Sequence, residues 1–144
     1  MVKSAATQRI KTPQGNQVAW YKLGAVAYIL WGIWHLQVVA SLWGLGNTLT
    51  EPAGLGVRIQ QGAFHILFFV LCSILVGAWL NWRNSRIGYW INLITIGWTE
   101  IGLFWLFMVP GIFPWLPKGW IGPALWVIAV ALTSLGQLRQ TVTR

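Results

Sequence analysis

The sequence predicts an all-α integral membrane protein, folded as an up-down bundle of four transmembrane helices. Only 8% of its 144 residues are charged, whereas soluble proteins have about 25%. Four apolar stretches approach the length of about 20 residues that a helix needs to cross a bilayer. Segments rich in glycine, proline, asparagine or basic residues separate these stretches. We therefore expect one membrane domain over residues 20–138, with a basic tail on either side, residues 1–19 and 139–144.

The first predicted span covers residues 21–43. One face of this helix combines aromatic, imidazole and aliphatic side chains, namely Tyr28, Trp31, His35, Val38 and Leu42. Residues 44–60 contain four glycines and Pro52. Because this glycine density disfavours a continuous helix, we expect residues 44–60 to form an exposed or re-entrant loop.

The second and third spans are predicted over residues 61–80 and 87–109. The turn between them, residues 81–86, is short, so the two helices should be antiparallel neighbours. One stripe of the second span holds His65, Phe69, Cys72, Val76 and Trp79. The third span has a stripe of small and polar residues that suits close contact between helices in lipid, consisting of Gly88, Asn92, Thr95, Thr99 and Gly102.

The fourth span is predicted over residues 120–138, with Pro123 in its first turn, where proline is tolerated. Its small-residue face consists of Gly122, Ala129, Thr133 and Gly136. The glycine stripes of the third and fourth spans suit contacts within one chain or between chains. A homo-oligomer or a larger membrane complex therefore stays open as an assembly.

The basic residues predict the orientation of the four spans. Eight of the ten lie in the tails, at the start of the first span or in the 81–86 turn, which four spans place on one side. Only Arg58 and Lys118 fall on the other side. Basic residues in short segments favour the cytoplasmic side, so we expect both termini inside, as in a bacterial cytoplasmic (inner) membrane. Because the charges flank apolar spans, we expect the lipid bilayer, and no nucleic acid, as the partner of this chain.

Glu100 is the candidate functional residue, because it is one of only two acidic residues and lies inside the third span. An ionisable group in a membrane costs about 2.5–3.5 kcal/mol on insertion scales, so it usually faces a partner or a cavity. Counting about 1.5 Å per residue places Glu100 and His35 at a similar depth, and His65 about one turn from the outer end. We expect these three residues to form a polar pocket in the outer half of the bilayer. Gln37 and Gln61 lie at a similar depth, and Trp31 is one turn from His35 and can stack on it.

Several functions suit such a pocket. The preferred interpretation is a protein that is not an enzyme and binds a small molecule or lipid, or serves as an accessory subunit. A redox or metal-dependent enzyme is the alternative, with a b-type haem or quinone near His35 and His65, or a divalent metal on His35, His65 and Glu100. An oligomeric proton or solute pathway is a third, and a Glu–His hydrogen bond that only fixes helix register is a fourth. Motifs of serine hydrolases, zinc proteases and nucleotide-binding loops are absent from the sequence.

Overall fold

The structure, a computed structural model, describes residues 19–52, 54–112 and 119–142. Its four long helices are α1 (Trp20–Thr48), α2 (Leu55–Trp79), α3 (Arg86–Leu103) and α4 (Ile121–Val142). A short 3-10 turn, Asn81–Arg83, precedes α3, and a π-helical turn, Phe104–Met108, continues it. All four helices are long and apolar enough to cross a membrane, which confirms the predicted all-α class with four spans. The predicted N-terminal tail, apart from Ala19, and most of the connection between the third and fourth spans lie outside the described residues.

Successive helices run antiparallel and form a four-membered ring. Gly46 near the end of α1 packs against Gly56 at the start of α2, and Ala25 near the start of α1 packs against Gly77 near the end of α2. The other main neighbour of α1 is α4, whereas α3 packs on α2 and α4. Helices α1 and α3 therefore lie on a diagonal of the bundle.

Helices α1 and α2 are longer than predicted at the end where they meet. Only residues 49–54 separate them, so the prediction of a loop over residues 44–60 is wrong. A Cβ atom at Gly56 would collide with the carbonyl oxygens of Gly46 and Leu49. These glycines stay helical because they allow the two backbones to approach closely, as small residues do in membrane helix contacts.

The buried faces of α2 and α4 are lined by small or medium-sized residues. The predicted face of α4 is correct, since Gly122, Ala129, Thr133 and Gly136 are all buried. On α2 the buried residues are again small or medium-sized, namely Gly56, Ala63, Val70, Ser73 and Gly77. The stripe that the sequence predicts on α2, from His65 to Trp79, lies on a different face, because both of these residues are exposed. Large apolar side chains gain little by leaving lipid, so small residues take the contact positions.

Between the helices, a compact core forms around two aromatic residues of α1. Tyr28 and Trp31 are fully buried and pack with Ala27, Ile96 and Ala129. Ser73 on α2 adds a polar link, because its hydroxyl donates to the carbonyl oxygen of Tyr28 at 2.7 Å. This core holds α1 in a fixed rotation about its axis, which directs the next turn of α1 towards α3.

The turn between α2 and α3 is tied to α4 by Asn84. Asn84 has a φ of 54°, a left-handed conformation that asparagine tolerates better than most residues. Its side-chain amide donates to the carbonyl oxygen of Gly136 at 3.1 Å. Gln137 donates in return to the backbone carbonyl oxygen of Asn84 at 3.1 Å and to its Oδ1 at 2.9 Å.

The close contact of α1 and α2 predicts opposite effects for two alanine substitutions on α2. Gly56→Ala should lower the free energy of unfolding by about 1–3 kcal/mol, because the new methyl group overpacks the contact. Gly62→Ala is the matched control, since a Cβ atom there meets nothing within 4 Å. Alanine at this position should stabilise the helix by up to about 1 kcal/mol. Unfolding titrations in mixed micelles measure both changes, and equal midpoints would contradict the close contact.

Candidate functional site

Glu100 lies on the inner face of α3 and is only 3% exposed. Its closest partner is Trp31, whose indole Nε1 donates to Glu100 Oε1 at 2.5 Å. Since α1 and α3 are diagonal neighbours, the long indole side chain crosses the interior of the bundle to reach the carboxyl group. Trp31 is itself fully buried, so this hydrogen bond is shielded from solvent.

His35 lies one turn beyond Trp31 and stacks on it. The ring centroids are 3.9 Å apart, which confirms the predicted stacking. His35 Nδ1 is 2.8 Å from the carbonyl oxygen of Trp31, and a carbonyl only accepts, so Nδ1 carries a hydrogen. The other ring nitrogen, Nε2, is 3.8 Å from Glu100 Oε1, which is longer than a hydrogen bond. Nε2 is therefore the nitrogen that can gain or lose a proton beside the carboxyl group.

Gly122 in the first turn of α4 closes one side of this pair. A Cβ atom at Gly122 would lie 2.8 Å from His35 Cε1 and 3.1 Å from Glu100 Oε1. Only glycine allows the start of α4 to approach so closely. Because the N-terminus of a helix carries partial positive charge, this approach places a favourable dipole end beside the carboxyl group.

A cavity of about 630 Å³ adjoins the Glu100–His35 pair. It lies between α1, α2, α3 and the start of α4, and its described lining is largely apolar. The polar side chains of the lining are Glu100, His35, Gln37, Ser41 and Thr99. Glu100 Oε2 is buried and has no hydrogen-bond partner among the described residues. The site therefore combines an apolar cavity with one unsatisfied carboxyl oxygen.

The structure brings together some of the predicted site residues and separates others. Glu100, His35 and Gln37 line the cavity, and Trp31 lies behind Glu100. His65 is exposed and does not line the cavity, because α2 turns its small-residue face inward. Gln61 is also exposed and accepts a hydrogen bond from Arg58, three residues before it, at 3.2 Å.

The prediction that His65 joins Glu100 and His35 in one pocket is therefore wrong in this structure. Among the described residues no group of three His, Cys, Asp or Glu side chains is placed to hold a metal ion. The exposed ring of His65 and the buried ring of His35 do not face one cavity. A haem held by both histidines finds no support in this geometry.

Glu100 and His35 lie close together, but their distances from the helix ends differ from those obtained by counting residues in the sequence. Because α1 continues to Thr48, His35 lies about 20 Å from the end of its helix. Glu100 lies only about 12 Å from Met108, where the π-helical turn ends. The helices are therefore not level at this end, and α1 extends beyond α3.

Two contributors to the site were not identified from the sequence as contacts of Glu100. The sequence predicts only that Trp31 stacks on His35, whereas its indole also supplies the main hydrogen bond to the carboxyl group. For Gly122 the sequence offers one signal, its place on the predicted small-residue face of the fourth span. That face indicates a close helix contact at Gly122. The partner helix for that contact follows only from the arrangement of the bundle.

No family model, no curated protein and no solved structure matches this chain. A function for the cavity therefore has to follow from its own residues.

The Trp31–Glu100 hydrogen bond predicts a specific loss of stability. Trp31→Phe removes the indole N–H and leaves Glu100 Oε1 without its donor, so it should lower the unfolding free energy by about 2–4 kcal/mol. Trp98→Phe, the same change at a residue that is 75% exposed, should shift it by less than about 0.5 kcal/mol. Unfolding titrations in mixed micelles measure both values. A similar shift for the two variants would show that the indole N–H contributes nothing.

Proposed function

We propose that this protein is not an enzyme but a binding protein of the bacterial inner membrane. Its cavity takes a small, largely apolar molecule that donates one hydrogen bond to Glu100. The observation that carries this proposal is the buried Glu100 Oε2, which has no hydrogen-bond partner among the described residues, in a side chain that lines the cavity. A carboxyl oxygen accepts a hydrogen bond whether or not the group is ionised.

The energetics support a ligand with a single donor. A buried polar atom without a partner costs about 1–3 kcal/mol, and a bound donor recovers part of that cost. Sites for small molecules are typically apolar cavities of about 300–1,000 Å³ with a few fixed polar groups. The Trp31 indole and the stacked His35 ring hold Glu100 in place. Glu100 therefore loses little conformational entropy when a ligand binds.

A proton pathway is a second candidate function, favoured by the geometry of His35. Its Nδ1 hydrogen is held by the Trp31 carbonyl oxygen, and its Nε2 faces Glu100. The two atoms are 3.8 Å apart, so a small movement of the His35 ring or one bridging water would allow a proton to pass between the two side chains. Vesicles that contain the protein and a pH-sensitive dye separate the two candidates. Proton flux that Glu100→Gln abolishes would favour the pathway over the binding protein.

Both termini are proposed to lie in the cytoplasm. Eight of the ten basic residues fall before residue 23, in the 81–86 turn or after residue 138 of the sequence, segments that four spans place on one side. The aromatic residues Trp79, Trp82 and Trp90 at the same end are exposed, as expected for side chains at a membrane interface.

Two biphenyl probes test the proposed binding site in lipid nanodiscs. 4-Phenylphenol has a hydroxyl donor, and 4-methoxybiphenyl has the same rings without it. The protein should bind the phenol about tenfold more tightly, which corresponds to one hydrogen bond to a buried acceptor. Equilibrium dialysis against empty nanodiscs measures the affinities and corrects for partition into lipid.

Two variants of this binding experiment locate the hydrogen bond. Glu100→Gln should reduce the preference for the phenol to less than about threefold, because an amide group offers only one acceptor oxygen. Glu51→Gln changes the only other acidic residue and should retain the full preference. Equal binding of both probes, or an unchanged preference in Glu100→Gln, would overturn the proposed function.

Fusion proteins test the orientation. A green fluorescent protein joined to the C-terminus should fluoresce in bacterial cells, and an alkaline phosphatase in the same place should be inactive, because the C-terminus stays inside. Neutral substitution of Arg83 and Arg86 should weaken this preference, since it removes two of the eight basic residues on that side. An active phosphatase fusion to the unaltered chain would reverse the proposed orientation.

A further inference from the structure

A second cavity lies at the opposite end of α3 from the π-helical turn. Its volume is about 670 Å³, and it is formed by the turn between α2 and α3 together with α4. The polar groups of its lining include Arg83, Asn84, Ser85, Arg86, Tyr89 and Ser134. Arg86 and Glu100 are 14 residues apart, so this cavity is about 21 Å along the helix from the Glu100 site.

The lining carries positive charge without a matching acid. Arg83 and Arg86 are exposed, and neither forms an ion pair with a described residue. The chain has only two acidic side chains. Glu100 is bonded to Trp31 inside the bundle, and Glu51 lies in the connection between α1 and α2, at the other end. Neither acidic side chain is therefore placed to pair with these arginines, which leaves them available to an anion from outside the chain.

Further cations occur at the same end of the bundle. Lys22 lies over the ring of Trp82, with its Nζ 5.4 Å from the ring centroid, and Arg139 lies over Trp20 at 5.7 Å. With the two arginines of the cavity they give this end four cationic side chains from three parts of the chain. An anionic surface that faces this end is attracted by all four.

The N-terminus of α3 borders the cavity, since Ser85 and Arg86 line it. Ser85 caps the helix by accepting from the backbone N–H of Gly88 at 3.4 Å, and the N–H groups of the first helical turn have no partner within the helix. Such N–H groups bind phosphate well, because they point outward and the helix dipole favours negative charge. Arginine contributes a planar pair of donors that matches two phosphate oxygens. Tyr89 and Ser134, whose hydroxyl oxygens are 3.1 Å apart, form the adjacent polar wall.

A shallow apolar groove, lined by residues of α3 alone, continues from this cavity along the helix. The groove has a volume of about 520 Å³ and is lined by Arg86, Ile87, Trp90, Ile91, Ile94 and Thr95. Arg86 and Trp90 line both the cavity and the groove. A free phosphate ion would occupy only the first of these, whereas a molecule with a phosphate group and a hydrocarbon chain would occupy both.

We propose that the cavity and the groove together bind one anionic phospholipid. Its phosphate contacts Arg83, Arg86 and the first turn of α3, and one acyl chain lies along Trp90 and Ile94 towards the middle of the membrane. The bound lipid neutralises Arg83 and Arg86, which form no ion pair with a described residue, and stabilises the α2–α3 turn. This site does not depend on the function proposed for the Glu100 cavity.

Lipid titration of the full-length protein in detergent tests the proposal. The probes are phosphatidylglycerol and phosphatidylcholine with identical acyl chains, and binding is measured by native mass spectrometry and by thermal stabilisation. Phosphatidylglycerol should bind about tenfold more tightly, because only its headgroup is net anionic. Arg83→Gln/Arg86→Gln should remove this preference. Arg58→Gln is the matched control at the other end of the bundle, where Arg58 bonds to Gln61, and it should keep the preference within about twofold.

Two further measurements separate the lipid from other anions and from general charge attraction. Glycerol 3-phosphate supplies the phosphate without acyl chains and should compete weakly, by a factor of about one hundred or more, because it leaves the groove empty. Ile94→Trp places a larger side chain in the groove at a residue that is 63% exposed. It should weaken phosphatidylglycerol binding about fivefold without affecting the fold. Equal competition by glycerol 3-phosphate, no effect of Ile94→Trp, or equal losses in Arg58→Gln and the double variant would each overturn the proposal.

Discussion

The hydrogen bond from Trp31 to Glu100 is the constraint on which the interior of this bundle depends. A carboxyl group inside an apolar bundle is tolerated only when it has partners, because burial removes the hydrogen bonds of water. The indole spans the diagonal between α1 and α3 and supplies the closest partner. His35 and Gly122 then take their places around the same group. Three helices are thus fixed by contacts with one side chain, and their separation on one side leaves the cavity.

Small residues allow the helices to pack closely enough for these contacts to form. Gly46 and Gly56 bring α1 and α2 into backbone contact, and Gly122 brings α4 onto the carboxyl group. Large side chains occupy the outer surface, as Trp98 and Trp105 do on α3. In lipid there is little gain from burying them, so close contact between backbones and a few buried polar bonds hold the helices together. The same distribution leaves an exposed apolar groove beside a polar end, at the proposed lipid site.

The sequence predicts the number of helices and the face of α4, because both depend on local patterns. It also predicts that Glu100 meets His35, although the depth count behind that prediction differs from the observed helix ends. It fails at the junction of α1 and α2, where glycines typical of a loop serve a helix contact. It also fails for His65, whose aromatic and apolar stripe contains residues that face outward. Composition alone does not tell a face that packs on protein from one that packs on lipid. The contact of Trp31 with Glu100 depends on which two helices lie on a diagonal of the bundle. That arrangement is a property of the whole bundle and cannot be read from a local pattern.

The fixed hydrogen on His35 Nδ1 has a consequence for selectivity. With one proton between His35 Nε2 and Glu100, the pair is electrically neutral, wherever that proton resides. A monovalent cation or anion that entered the cavity would leave an unbalanced charge in a medium of low polarity, at a large cost. An uncharged guest avoids that cost and still finds an acceptor in Glu100. In the proposed binding function, such a neutral pair favours uncharged molecules over ions.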